Sequence, residues 1–237
     1  MKRADNLKAL IRVTAVLLIM TSVYYLAYQQ AEESSSKGVV TEKKNVCIVI
    51  DAGHGGTDPG KVGINGALEK DINLKIAKKI QRFLEMEDIT VVLTRDSDAG
   101  LYDDNASNKK VQDMKRRVEI IEAANPMLTV SIHQNSYHEE YVHGAQTFYY
   151  QGSEQSKVLA EKIQQTLSNE VDKNNTRSAK ANDSYYLLKK TSVPIVIAEC
   201  GFLSNSEEAQ KLNSDYYQEK LAWAIHLGIL QYINEQK

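Results

Sequence analysis

Val46-Cys47-Ile48-Val49-Ile50-Asp51-Ala52-Gly53-His54-Gly55-Gly56 decides how this chain folds. Its first five residues are an uninterrupted apolar run of strand length, which indicates a strand buried on both faces. The run stops at Asp51 and opens into glycines, so a loop over residues 53–66 leaves the strand at its carboxyl end. Similar runs recur at residues 90–94, 128–133, 145–150 and 194–199, and 185–188 reads as a further short strand. Pro194 suits a first strand position, where a missing N–H matters least. Between these runs lie helical faces: Ile72, Ile76, Ile80 and Phe83; then Val111, Met114, Val118 and Ile121; then Leu159, Ile163 and Leu167. A last helix is expected over residues 216–234. Strands alternating with helices predict an α/β sheet flanked by helices.

The chain has 237 residues and a formal charge of -2, with acidic and basic residues interspersed. No basic stripe stands out, which argues against nucleic acid as a partner. At the N-terminus, Lys2, Arg3, Lys8 and Arg12 stand against a single Asp5, and residues 13–28 then carry no charge. A basic flank before an apolar run predicts an export signal or anchor over residues 1–28, with the rest of the chain sent outward. Tyr28-Gln29-Gln30 separates Ala27 from Ala31, so no small-x-small cleavage site forms and an uncleaved membrane anchor is expected. Residues 29–44, with Glu32, Glu33 and three serines, read as a solvated linker to a domain over 45–237. The only cysteines, Cys47 and Cys200, read as small buried apolar residues. A disulfide between them would require neighbouring strands.

Four segments carry the chemistry. His54 follows the first strand, Glu69 opens the helix after the Gly-rich loop, His133 ends the third strand, and Glu199 closes the apolar run Ile195-Val196-Ile197-Ala198. Ligands of open α/β sheets gather beyond the carboxyl ends of strands, so these residues are expected to meet at one sheet edge. Two histidines and two glutamates suit a zinc hydrolase, in which three side chains hold the metal and one carboxylate handles protons. A carboxylate on a buried strand is costly unless a metal, a proton or a partner compensates it. His138-Glu139-Glu140-Tyr141-Val142-His143 imitates a zincin helix, but its histidines are five apart rather than four and cannot share a helical face. His226 reads as a packing or surface residue of the last helix. There is no Gly-x-Ser-x-Gly elbow and no phosphate-binding Gly-rich loop, and Asp58-Pro59-Gly60 reads as a turn.

Together, the segment over residues 49–60 (Val-Ile-Asp-Ala-Gly-His-Gly-Gly-Thr-Asp-Pro-Gly), Glu69-Lys70-Asp71, Leu93-Thr94-Arg95-Asp96, Ser131-Ile132-His133-Gln134-Asn135 and Glu199-Cys200-Gly201-Phe202-Leu203-Ser204-Asn205 resemble the zinc-dependent N-acetylmuramoyl-L-alanine amidases of bacterial cell walls. The resemblance spans residues 45–237. It implies a mostly parallel or mixed sheet, Zn2+ held by His54, Glu69 and His133, and Glu199 as the catalytic glutamate. The bond implied is the amide between the lactyl group of N-acetylmuramic acid and L-alanine of the stem peptide, in a peptidoglycan substrate. The short domain with its N-terminal segment is most similar to the germination-specific type. That type implies formation of the muramic δ-lactam of spore cortex ahead of a peptidoglycan deacetylase, at the outer face of a membrane or in the forespore envelope. Gln134 departs from the usual Ala, and Lys180-Ala181-Asn182-Asp183 replaces a more basic stretch. The rivals are a zinc peptidase or deacetylase acting on the same wall, and a catalytically inactive wall-binding module.

Overall fold

The computed structural model describes residues 18, 20–26, 28–29 and 46–236. The chain divides into two compact units, Met1–Lys44 and Asn45–Lys237. In the first, the described residues are helical and expose Leu18, Met20, Val23 and Tyr24. Much of the expected anchor, and the linker apart from Gln29, lie outside the described residues. Among the described residues no helix is long and apolar enough to cross a membrane.

The second unit runs β1 (Cys47–Ala52), α1 (Glu69–Glu85), β2 (Thr90–Leu93), α2 (Lys109–Ala124), β3 (Leu128–Asn135), β4 (Gln146–Tyr149) and α3 (Glu154–Thr166), which continues into a π-turn at Leu167–Val171. It then runs β5 (Lys180–Ala181), α4 (Tyr186–Lys190), β6 (Ile195–Phe202), α5 (Ser206–Leu212) and α6 (Asp215–Glu235). The sheet order is β2-β1-β3-β6-β4-β5. The first four strands are mutually parallel, β4 is antiparallel to β6, and β5 is parallel to β4. The sheet is therefore mixed, with the apolar runs as its central parallel strands.

Strand alternation sorts the side chains onto two faces. Ile48 and Ile50 of β1, Leu128 and Val130 of β3 and Val196 and Ala198 of β6 join one cluster with the inner faces of α1, α3 and α6. Val49, Ile195 and Ile197 join Ile121 of α2 and Leu187 and Leu188 of α4 on the other face. The period of two puts Asp51, Ser131, His133 and Glu199 on that second face.

Three expectations change. Residues 185–188 form no strand: Tyr185 caps helix α4, and residues 186–188 lie within it. Asn182 Oδ1 accepts the N–H groups of Ser184 and Tyr185 at 2.8 and 3.0 Å, a turn that launches a helix, and a four-residue apolar run carries no period to oppose it. His133 and Glu199 do not end their strands: β3 continues to Asn135 and β6 to Phe202. Cys47 and Cys200 are both free, and β3 separates their strands, so the condition for a disulfide fails. Strand β5 and helix α5 have no counterpart in the sequence reading.

Candidate functional site

His133 and Glu199 face each other across the β3–β6 pairing, just before the register shifts between His133 and Asn135. His54 arrives from the loop beyond β1, and Glu69 is the first residue of α1. Glu69 Oε1 lies 3.2 Å from His54 Nε2 and 3.0 Å from His133 Nδ1. The donor atoms of these three side chains all fall within 4.8 Å of one another. Two imidazole nitrogens and one carboxylate are a donor set suited to a divalent first-row metal.

Close approach depends on two glycines. A Cβ on Gly53 would lie 2.2 Å from the His133 ring, and one on Gly60 would lie 2.5 Å from Glu69 Oε2. His54 itself takes the left-handed conformation with φ 62°, unusual for a residue with a Cβ. Arginines hold that strained segment in place. Arg117 donates to the carbonyls of Ala52 and His54, each at 2.7 Å, and Arg95 donates to the carbonyls of Ala52 and Gly53 at 2.9 and 3.1 Å. His54 Nδ1 sits 2.8 Å from Asp58 Oδ2. With the proton on Nδ1, that contact leaves the Nε2 lone pair directed at the cluster, the usual way a carboxylate orients a metal-ligating histidine.

Glu69 is only 2% exposed, yet it is fully supplied with donors. Lys61 N–H donates to Oε2 at 2.7 Å and Gln134 N–H to Oε1 at 3.1 Å, with Asn73 Nδ2 at 3.4 Å. Burial alone would raise its pKa; the hydrogen bonds to His133 and His54 outweigh it and hold the carboxyl well below the usual range. Burial likewise opposes charge on His54, but Glu69 and then Asp58 prevail and raise its pKa to about 9. Beneath the loop, Asp51 accepts from Arg117 and Thr94 at 2.6 Å and from Ser131 at 2.5 Å. Burial raises its pKa, yet the Arg117 charge and these hydroxyls overcome that and bring it to about 2.

Glu199 has the opposite environment. Its Oε2 is buried with no hydrogen-bond partner among the described residues, and Oε1 has only the Tyr185 hydroxyl at 3.4 Å. Burial pushes its pKa up to about 7, with the Glu69 charge adding and His133 opposing. Two carboxyls in one site thus differ sharply, one kept ionised and one able to exchange a proton near neutrality. Both histidines and Glu199 line a cleft of about 360 Å³ that runs on toward Tyr102 and the start of α2.

All four residues singled out in the sequence meet here. His138 and His143 do not: they lie in a loop, His138 well exposed. His226 is buried, packed 5.1 Å from Trp223 and 5.6 Å from Phe83, as a packing residue. The sequence reading missed the supports. Asp58 read only as a turn residue, although an aspartate four positions after a loop histidine was a usable signal. Arg117, only 1% exposed, was not singled out, and nothing local in the helix marks it as buried.

A family model described as N-acetylmuramoyl-L-alanine amidase matches residues 48–231. The germination-specific N-acetylmuramoyl-L-alanine amidase of Bacillus subtilis (strain 168) is 35% identical over 217 residues, covering 90% of this chain and 91% of that protein. Among solved structures, the CwlD amidase from Clostridioides difficile in complex with the GerS lipoprotein matches with 43% identity and a TM-score of 0.79, over 81% of this chain and 100% of that one. The amidase AmiC2 of Nostoc punctiforme matches with 34% identity and a TM-score of 0.71, over 80% and 98%.

Proposed function

The chain belongs to the N-acetylmuramoyl-L-alanine amidase family, and from that premise we propose how it acts: as a zinc-dependent hydrolase of the amide between the lactyl group of N-acetylmuramic acid and L-alanine in peptidoglycan. The observation that carries this reading is the clustering of His54, Glu69 and His133 beside a buried, nearly unpartnered Glu199. The three clustered side chains would hold the metal. Zinc bound there would supply Lewis acidity toward the scissile carbonyl and lower the pKa of a water. Glu199 takes the proton of the attacking water and returns it to the departing amine of L-alanine. Tyr185 remains protonated, its pKa raised to about 12 by burial and by the Glu199 charge, and its hydroxyl steadies Glu199. Asp58 and Arg117 keep His54 aimed at the cluster.

Similarity to the germination-specific enzyme supports a role in spore cortex, where amide cleavage frees the muramic lactyl carboxyl that a δ-lactam needs, ahead of a peptidoglycan deacetylase. The basic flank and apolar run over residues 1–28 support export and a tether at the outer face of a membrane.

The test is digestion of purified peptidoglycan with and without a chelator, with products mapped by mass spectrometry. Intact stem peptides freed from glycan strands are expected, and chelation should abolish them. Cut peptides or deacetylated sugars would favour the rival chemistries. Glu199→Gln should retain zinc by elemental analysis while turnover falls by roughly a thousandfold. A zinc-loaded, fully active Glu199→Gln enzyme would refute the proton-carrier role.

A further inference from the structure

Away from the metal ligands, the cleft reaches the first turn of α2, where Lys109 and Lys110 line it beside Tyr102. Apart from Glu199, the carboxylates of that cleft are already committed. Asp51 is held by Arg117, Ser131 and Thr94, Asp113 by Arg117 at 2.6 Å and by Leu101 N–H at 2.7 Å, and Asp58 by His54 and by Gly60 N–H at 3.1 Å. The two lysines are different. No hydrogen bond or close ion pair holds either ammonium group among the described residues, although the Lys110 charge also acts on Asp58. Lys109 is held in place all the same: its Nζ lies 5.1 Å from the centre of the Tyr102 ring. That ring is pinned to the His54 loop, since Thr57 N–H donates to the Tyr102 hydroxyl at 2.6 Å. The uncommitted charge at this end of the cleft is therefore positive, and part of it is fixed in position relative to His54.

We propose that Lys109 and Lys110 form a subsite for a carboxylate on the peptide half of the substrate, and thereby set which way the substrate lies. The inference rests on the amidase reading above. The two halves of such a substrate differ in charge. The glycan side of the scissile amide is N-acetylated sugar without charge, whereas the peptide side ends in at least one free carboxylate. Two ammonium groups with no hydrogen-bonded carboxylate of their own select the second half through charge-assisted hydrogen bonds. The peptide then runs toward the start of α2, and the glycan leaves by the other end of the cleft. The carboxylate keeps its charge throughout the reaction, so this contact stabilises bound substrate and transition state alike and acts on KM rather than kcat.

The experiment uses the full chain loaded with zinc and two synthetic N-acetylmuramoyl peptides, one with free carboxylates and one with every carboxylate amidated. The wild type is expected to show a KM about tenfold lower for the free acid. Added salt should erode that preference, as it does for any partly exposed ion pair. In Lys109→Gln/Lys110→Gln, KM for the free acid should rise toward the value for the amide. Its thermal midpoint should match the wild type, because neither side chain holds the fold together. A wild type that cleaves both peptides with the same KM overturns the subsite alone, as does a double variant that keeps the preference. A wild type that cleaves neither peptide overturns the amidase reading and the subsite with it.

Discussion

The two faces of the sheet come from the same strands and differ in almost everything else. On the α1/α3/α6 face, Ile48, Ile50, Val130, Val196 and Ala198 meet Ile72, Ile163 and Ile225, all buried and all apolar. On the α2/α4 face, a smaller apolar cluster around Val49, Ile195 and Ile197 gives way toward the carboxyl ends of the strands to Asp51, Ser131, His133 and Glu199, and what packs over them includes Arg117 and Tyr185. The α1/α3/α6 face buries almost only hydrocarbon and supplies stability without direction. The α2/α4 face also buries charge, which is tolerated only where partners are aligned. The contrast shows how a short domain keeps a reactive site rigid: the apolar face carries the folding energy, and the polar face directs the side chains.

Three measurements break or sharpen that contrast. The largest effect is expected from Arg117→Met, which leaves Asp51 buried without its counter-charge. Denaturant unfolding should show a loss of about 3–5 kcal/mol. Zinc content should fall too, because the His54 carbonyl loses its donor, and full zinc occupancy would show that Arg117 plays no part in placing His54. Ile225→Ala on the apolar face comes next, at about 2–4 kcal/mol from the lost contacts and the cavity. Its turnover per folded molecule should match the wild type; a drop in kcat would mean the two faces are coupled. The smallest effect is in acid. Asp51 titrates at about 2 rather than at the usual 3.8, so its stabilisation is complete above that ordinary value and is lost as pH falls toward 2. That loss should amount to roughly 2 kcal/mol in unfolding free energy. It should be absent from the paired variant Asp51→Asn/Arg117→Met, in which nothing titrates at that position.

Legibility followed the range of the interactions involved. The apolar runs of β1, β3 and β6 and the helical faces of α1, α2 and α3 were readable because their periods repeat within one element. His54, Glu69, His133 and Glu199 were readable because each is a polar residue set against glycine or an apolar run. The Tyr185-Tyr186-Leu187-Leu188 stretch was misread, since four apolar residues fit a strand or a helix and Asn182 decided between them. Asp58 and Arg117 were passed over because a turn aspartate and a helix arginine look ordinary until the elements around them close.

The amino-acid sequence by itself determined an α/β domain, the order of its longer strands and helices, and the four residues that converge, since these depend on local pattern and on the position of polar groups along buried strands. Only the tertiary structure decided that His133 and Glu199 are register partners within their strands, that Arg117 belongs to the interior, and that two lysines of α2 share a cleft with His54 and His133. Those facts depend on which strands pair and which helix covers which face. Contacts between residues 40 to 140 positions apart leave no periodic trace in the sequence, because they are set by packing of whole elements.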